Sequence, residues 1–183
     1  MPVTRTALTN IVPASVVTTA GTATINATTG MVTCSAATAI SLNSVFSATY
    51  DNYLINVVGS NSSNYYDFKL RSSAPADIST DYWYFTEYFY GGTYTTQQNG
   101  TTAATAGGRA GIGSSYASIL QITLTAPFLA QRTVGYIDGT GSYSNASIHH
   151  GVFLHNIAAS YPSFTLITGA AFTGYITVYG YTK

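Results

Sequence analysis

Three histidines, His149, His150 and His155, are the only ones in the chain and crowd into one short segment. A metal site needs ligands that converge on a point. A serine or cysteine nucleophile needs a histidine beside it and a carboxylate to orient that histidine. On an extended strand His149 and His155 share a face, but six residues of strand span about 20 Å. That separation is too long for two ligands of one ion. A turn between them, or a symmetry axis uniting copies, would be required, so the histidines read as hydrogen-bonding or interface groups. The acids are Asp51, Asp67, Asp77, Asp81, Glu87 and Asp138. Glycoside hydrolysis needs two carboxylates facing each other across a cleft, and Asp81 and Glu87 again stand six strand residues apart. Asp51, in Tyr-Asp-Asn-Tyr, reads as a turn residue before a strand. No Gly-X-Ser-X-Gly elbow is present. The one cysteine, Cys34, excludes an intrachain disulfide and reads as a small apolar strand residue. No catalytic residue, metal ligand or cofactor site follows from these patterns, and the expectation is a protein that is not an enzyme.

The densest local signal is aromatic: Tyr82-Trp83-Tyr84-Phe85-Thr86-Glu87-Tyr88-Phe89-Tyr90. Tyrosine and tryptophan are common interface anchors, and their ring faces also stack on sugars. Alternate members would fill a sandwich core while the others decorate one face. Tyr82, Trp83, Tyr84, Tyr88 and Tyr90 are therefore candidates for an aromatic interface, with a glycan site as the alternative.

These residues must be held by strands. Only 7% of the 183 residues are charged while 14% are aromatic, with sixteen tyrosines. An ordinary soluble domain carries about 25% charged residues. Here Thr, Ser, Asn, Gly and Tyr take the polar positions, a composition suited to pleated, half-buried surfaces. Six basic and six acidic residues give a formal net charge of zero. Such a chain offers nucleic acid no basic face, and it has little self-repulsion to oppose association. No apolar run is long enough to span a bilayer, and no signal peptide is visible at the N-terminus. Neither nucleic acid nor membrane is an expected partner, and synthesis in a cytoplasm is expected.

From Ala39 onward, runs of strand length recur between turn signals. Asn52 to Gly59 reads as a buried strand. Tyr65 to Arg71 alternates, with Tyr66, Phe68 and Leu70 on one face. Ser118 to Ala126 places Leu120, Ile122 and Leu124 inward against Gln121, Thr123 and Thr125. Arg132 to Ile137, Ser147 to His155, Ser163 to Thr168 and Thr173 to Tyr181 complete roughly eight strands. That spacing predicts an all-β fold, an antiparallel β-sandwich of jelly-roll-like type. Gly91 to Gly113 has no apolar periodicity and reads as a long loop.

Residues 1–36 differ from the sandwich domain expected over 37–183. They are almost free of aromatics, with β-prone pieces at Ala14 to Thr19, Thr22 to Ala27 and Met31 to Ser35. One reading is an extended N-terminal arm that pairs along another sheet edge. The other is a hairpin folded onto its own domain. In the arm reading, Val3, Arg5, Leu8, Ile11 and Val12 supply the partner contacts.

Residues 42–57 (Leu-Asn-Ser-Val-Phe-Ser-Ala-Thr-Tyr-Asp-Asn-Tyr-Leu-Ile-Asn-Val), residues 124–133 (Leu-Thr-Ala-Pro-Phe-Leu-Ala-Gln-Arg-Thr) and the ending Phe-Thr-Gly-Tyr-Ile-Thr-Val-Tyr-Gly-Tyr from Phe172 belong together. In that order they resemble a module of tailed-bacteriophage virion structural proteins, including those of cyanophages. The resemblance covers roughly residues 39–183. It implies a jelly-roll-like sandwich, commonly trimeric and without enzymatic activity. With only about 36 residues ahead of the module, the chain looks more like a capsid decoration or cement protein than a shafted tail fibre. The expectation is a homotrimer, made in the host cytoplasm, that binds the major capsid protein on the outer head shell and stabilises it. The alternative is a tail-fibre tip that recognises host-surface glycan.

Overall fold

The computed structural model describes residues 7–61, 66–72, 76–90, 92–104, 108–109, 118–142 and 146–181. Among these residues every regular element is a strand. In chain order they are β1 (Thr9–Ile11), β2 (Ser15–Val17), β3 (Ala20–Ile25), β4 (Val32–Thr38) and β5 (Ile40–Asn43). Next come β6 (Asn52–Asn61), β7 (Asp67–Arg71), β8 (Tyr82–Tyr90), β9 (Thr93–Ala104) and β10 (Gly108–Arg109). The last are β11 (Ser118–Thr125), β12 (Gln131–Ser142), β13 (Ala146–Ala159), β14 (Ser163–Ile167) and β15 (Phe172–Tyr181). All pairings are antiparallel.

The strands form two sheets, so the fold is an antiparallel β-sandwich. The large sheet has ten strands in the order β3-β4-β15-β6-β11-β12-β13-β8-β9, with β1 also paired to β15. The small sheet has five, in the order β10-β7-β14-β5-β2. Alternation explains what lies between them. Tyr66, Phe68 and Leu70 are buried, as are Leu120, Ile122 and Leu124, and Ile176 and Val178. Ile40, Leu42, Phe164 and Leu166 of the small sheet meet Ile55, Val57, Ile137 and Phe153 of the large one in a single core. Rings stack through its middle, with Phe68 5.1 Å from Phe164 and 5.4 Å from Phe153.

Two expectations need correction. Gly91 to Gly113 is not a loop where it is described: Thr93–Ala104 forms β9 on the edge of β8, and Gly108–Arg109 pairs with β7. Threonines supply β-branched side chains, and ladder hydrogen bonds need no apolar alternation. Gly92, at φ 83°, makes the tight turn that returns the chain from β8. The strand count is also higher than eight, because several edge strands are too short to show a period.

Within residues 7–36 the described chain lies on its own domain. β3 and β4 are a hairpin closed by Gly30 at φ 67°, and the Asn26 side-chain oxygen accepts the backbone N–H groups of Thr28 and Thr29 at 2.9 and 3.0 Å. β4 pairs with β15, and β2 with β5. Val32 and Cys34 reach the core.

Residues 42–57, residues 124–133 and the ending from Phe172 pair with one another in the structure. Tyr53 pairs with Leu124 on one side and Gly180 on the other. Ala126 N–H donates to the Asp51 carbonyl at 2.7 Å. The Tyr53 hydroxyl donates to the Ser47 carbonyl at 2.9 Å and accepts the Ser47 N–H at 2.7 Å. Phe46 packs edge-on against Tyr53 at 4.7 Å. Gly180 leaves the space that the Tyr50 ring occupies, where a Cβ would collide. These spaced aromatics and glycine close one corner of the fold.

Candidate functional site

Directly opposed residues of antiparallel strands project to the same face. The register therefore defines side-chain rows across β6, β11, β12, β13 and β8. One row runs Leu54, Thr123, Tyr136, Val152, Phe85. The next runs Asn56, Gln121, Asp138, His150, Glu87, and a third Val58, Ile119, Thr140, Ile148, Phe89. On the far side of the first row stand Thr125, Val134, Leu154 and Trp83. All four rows lie on the outer face of the large sheet.

Over β12, β13 and β8 the outer face carries larger apolar side chains than most of the inner face behind it. Outward on β12, β13 and β8 stand Val134, Tyr136, Ile148, Val152, Trp83, Phe85 and Phe89, each exposed. Inward on the same strands stand Thr133, Gly135, Gly139, His149, Gly151 and Thr86, all buried, beside Ile137 and Phe153. Two of these small residues, Gly135 and Gly151, are required by the packing. A Cβ on Gly135 would collide with Phe153 Cε1, and one on Gly151 would lie 2.6 Å from Thr86 Cγ2. The ordinary inside-apolar pattern is thus inverted over three strands. A full aromatic side chain presents about 150–250 Å². Those seven side chains with Ile119, at 41–50% exposure, therefore leave on the order of 600 Å² of apolar surface uncovered. A monomer's largest apolar patch is typically about 300–600 Å².

A polar row crosses this surface. His150 Nδ1 lies 3.2 Å from Asp138 Oδ1, and both side chains are half exposed. Glu87 stands opposite His150 on β8 and accepts a hydrogen bond from the Tyr94 hydroxyl. That bond holds the Tyr94 phenol proton and raises its pKa, helped by the carboxylate charge. Beside the row a shallow hollow of about 310 Å³ is lined by Phe85, Glu87, Tyr136, His150, Gly151 and Val152.

The histidines divide between the faces. His149 and His155 point inward and are buried, whereas His150 points outward. His155 sits between the rings of Tyr82 at 4.7 Å and Tyr161 at 5.0 Å. Burial pushes its imidazole below the ordinary value, opposed in part by the charge of Asp81. Among the described residues no group of three or more His, Cys, Asp or Glu side chains is placed to hold a metal ion.

A second polar cluster stabilises the small sheet. The buried Thr165 hydroxyl donates to Asp77 Oδ1 at 2.6 Å. It also lies 2.9 Å from the Ser41 hydroxyl and accepts Arg71 Nη1 at 3.3 Å. Arg71 Nε lies 3.5 Å from Asp77. The acid and the base neutralise one another, and the cluster pins the segment after β7 to the sheet.

Of the aromatic candidates, Trp83 faces outward and is exposed. Tyr82 is a core side chain whose hydroxyl accepts the Leu70 N–H at 2.8 Å, and burial pushes its phenol far up. Tyr84 and Tyr88 project inward and are half buried, while Tyr90 pairs with Ser147 at the end of β8 and its side chain lies outside the described set. Of the N-terminal candidates, Leu8 and Val12 are exposed, Ile11 packs against the core, and Val3 and Arg5 lie outside the described residues. Phe85, Phe89, Tyr136, Ile119, Val134, Ile148 and Val152 were not singled out by sequence. The available signal was bulky apolar residues at both parities of one strand. No protein-family model matches the chain, and no curated protein matches its sequence.

Proposed function

We propose that the chain is a structural, non-enzymatic subunit of a tailed-phage virion, a homotrimeric decoration protein that binds the major capsid protein on the outer head shell and stabilises it. The observation that carries the assembly part of this reading is the inverted polarity of β12, β13 and β8. A sheet that turns glycine, threonine and histidine inward and tryptophan, phenylalanine and valine outward is built to be covered by protein. The 7% charged content agrees, because close packing then desolvates few ions. The virion part rests on the resemblance of residues 42–57, 124–133 and 172–181, including the jelly-roll-like character it implies. At about 25 cal/mol per Å² of apolar area, contacts repeated over a shell resist internal pressure without any strong single bond. The test is to separate heads from tails of the phage that encodes the chain and to quantify it in each. Presence on heads at many copies supports the reading; presence on tails alone refutes it.

The hollow bounded by Phe85 and Tyr136, with Glu87 and His150 at one end, favours a second reading as a tail-fibre tip. Ring faces and a carboxylate are the groups that bind a sugar ring and its hydroxyls. A glycan array, with Trp83→Ala and Phe85→Ala as controls, separates the readings. Specific binding lost in both variants supports the tip, and no binding removes it.

A further inference from the structure

We infer that the outer face of β11, β12, β13 and β8 is the surface through which copies of this chain pack on one another about a threefold axis, with Asp138, His150 and Glu87 forming a polar layer that fixes their register. The inference rests on the homotrimer in the function proposed above and names the surface that builds it.

Area argues for a partner of this size. A standard interface buries about 800 Å² per partner, and the apolar side chains alone supply on the order of 600 Å². The row of Asp138, His150 and Glu87 adds polar area to the same face. Charge argues for a partner of this kind. The net charge is zero, so copies of the chain carry no overall repulsion against one another.

The row pattern argues for register. Three flat faces enclosing an axis parallel to their strands would stack the rows as layers. Val152 and Phe85 would form one apolar layer, Asp138, His150 and Glu87 a polar one, and Ile148 and Phe89 another apolar one. Sliding one copy by two residues, about 7 Å, would press the carboxylates against Phe85 or Phe89 with no partner. Leaving such groups buried and unpaired costs more than the pairing gains. A polar layer in an apolar interface acts as a register pin, the role best attested for such groups.

Sedimentation equilibrium of the full chain tests the inference, with Val152→Lys and Phe85→Lys as variants. Both side chains point outward, so the monomer fold tolerates them; circular dichroism checks this, and Val134→Lys replaces either variant if it misfolds. Wild type is expected at about 58 kDa, three times 19.3 kDa. The variants are expected at the monomer mass, with dissociation constants raised at least about 100-fold, as for loss of a central interface anchor. Ile148→Cys should also form a disulfide with its own copy, because equal layers meet. A monomeric wild type overturns the inference, and so does a trimer that both lysines leave intact. If wild type is monomeric and the lysines abolish head binding, the shell covers this face and only the self-packing fails. If the trimer behaves as expected but the chain resides on tails, the decoration reading fails and the trimer face stands.

Discussion

Replacing Gly135 with alanine tests why this part of the sheet is turned the way it is. Gly135 of β12 opposes Phe153 of β13, and the Phe153 ring fills the volume a Cβ would need. Phe153 is buried and touches Phe68 of the small sheet, so it cannot withdraw toward solvent. The added methyl therefore overpacks the core, at a cost of about 1–3 kcal/mol. Phe153→Ala alone removes a buried ring and costs about 3–5 kcal/mol. In the double variant the methyl enters the space the ring has left. Alanine is also favoured over glycine in a strand by about 0.5–1 kcal/mol. Gly135→Ala is thus expected to be neutral or stabilising on the Phe153→Ala background. The coupling between the two sites should reach about 1–3 kcal/mol. Guanidinium unfolding, read by Trp83 and tyrosine fluorescence at one fixed protein concentration, measures all four corners of the cycle. If the two costs add to within about 0.5 kcal/mol, ring and glycine do not share a volume. The packing reason for the inverted face would then be wrong.

Three other outcomes follow from buried polar groups. Above about pH 6.5 His155 is neutral in both folded and unfolded chains, and its contribution to stability is complete. As pH falls, the unfolded chain binds the proton first because the folded pKa is lowered. Stability should therefore drop below that pH and level off beneath the folded value, and His155→Phe should flatten this limb in urea titrations taken at stepped pH. Thr165→Val strands Asp77 and Ser41 without their shared hydroxyl and should cost about 1–3 kcal/mol in the urea midpoint, more than Ser41→Ala. The Cys34 thiol, which burial pushes up to about 11, should react with a disulfide reagent only through opening of the fold. Its labelling rate should rise steeply at the unfolding midpoint, whereas prompt labelling of the native protein would place it outside the core.

The sequence is readable where alternation has one interpretation. In β11, Leu120, Ile122 and Leu124 alternate with glutamine and threonine, and they are the buried set. It is misleading where both parities are bulky. In β13 the even residues Ile148, Val152 and Leu154 are more apolar than His149, Gly151 and His155, yet the odd residues turn inward. Phe153 and its glycine on β12 decide this, and a pairing across strands is invisible in either strand alone. The same holds for β8, where aromatics occupy both faces and only the partner strands separate core Tyr82 from exposed Trp83. β9 is hidden because its sequence shows no apolar alternation, while its backbone pairs with β8. Of the N-terminal strands, β2, β3 and β4 fall on β-prone pieces of the sequence and β1 does not, and nothing in them indicates which sheet edge they join.

The tryptophan at position 83 is the only one in the chain, and it stands on the face proposed to be covered. In the chain by itself its side chain is 44% exposed. Emission and acrylamide quenching of the native protein therefore read the covering of this face without any label. Blue-shifted emission and slow quenching are expected at concentrations where the protein is assembled. Dilution or Val152→Lys should shift the emission red and speed the quenching. Emission and quenching that match a solvent-exposed indole in the assembled wild type, unchanged on dilution, would contradict it.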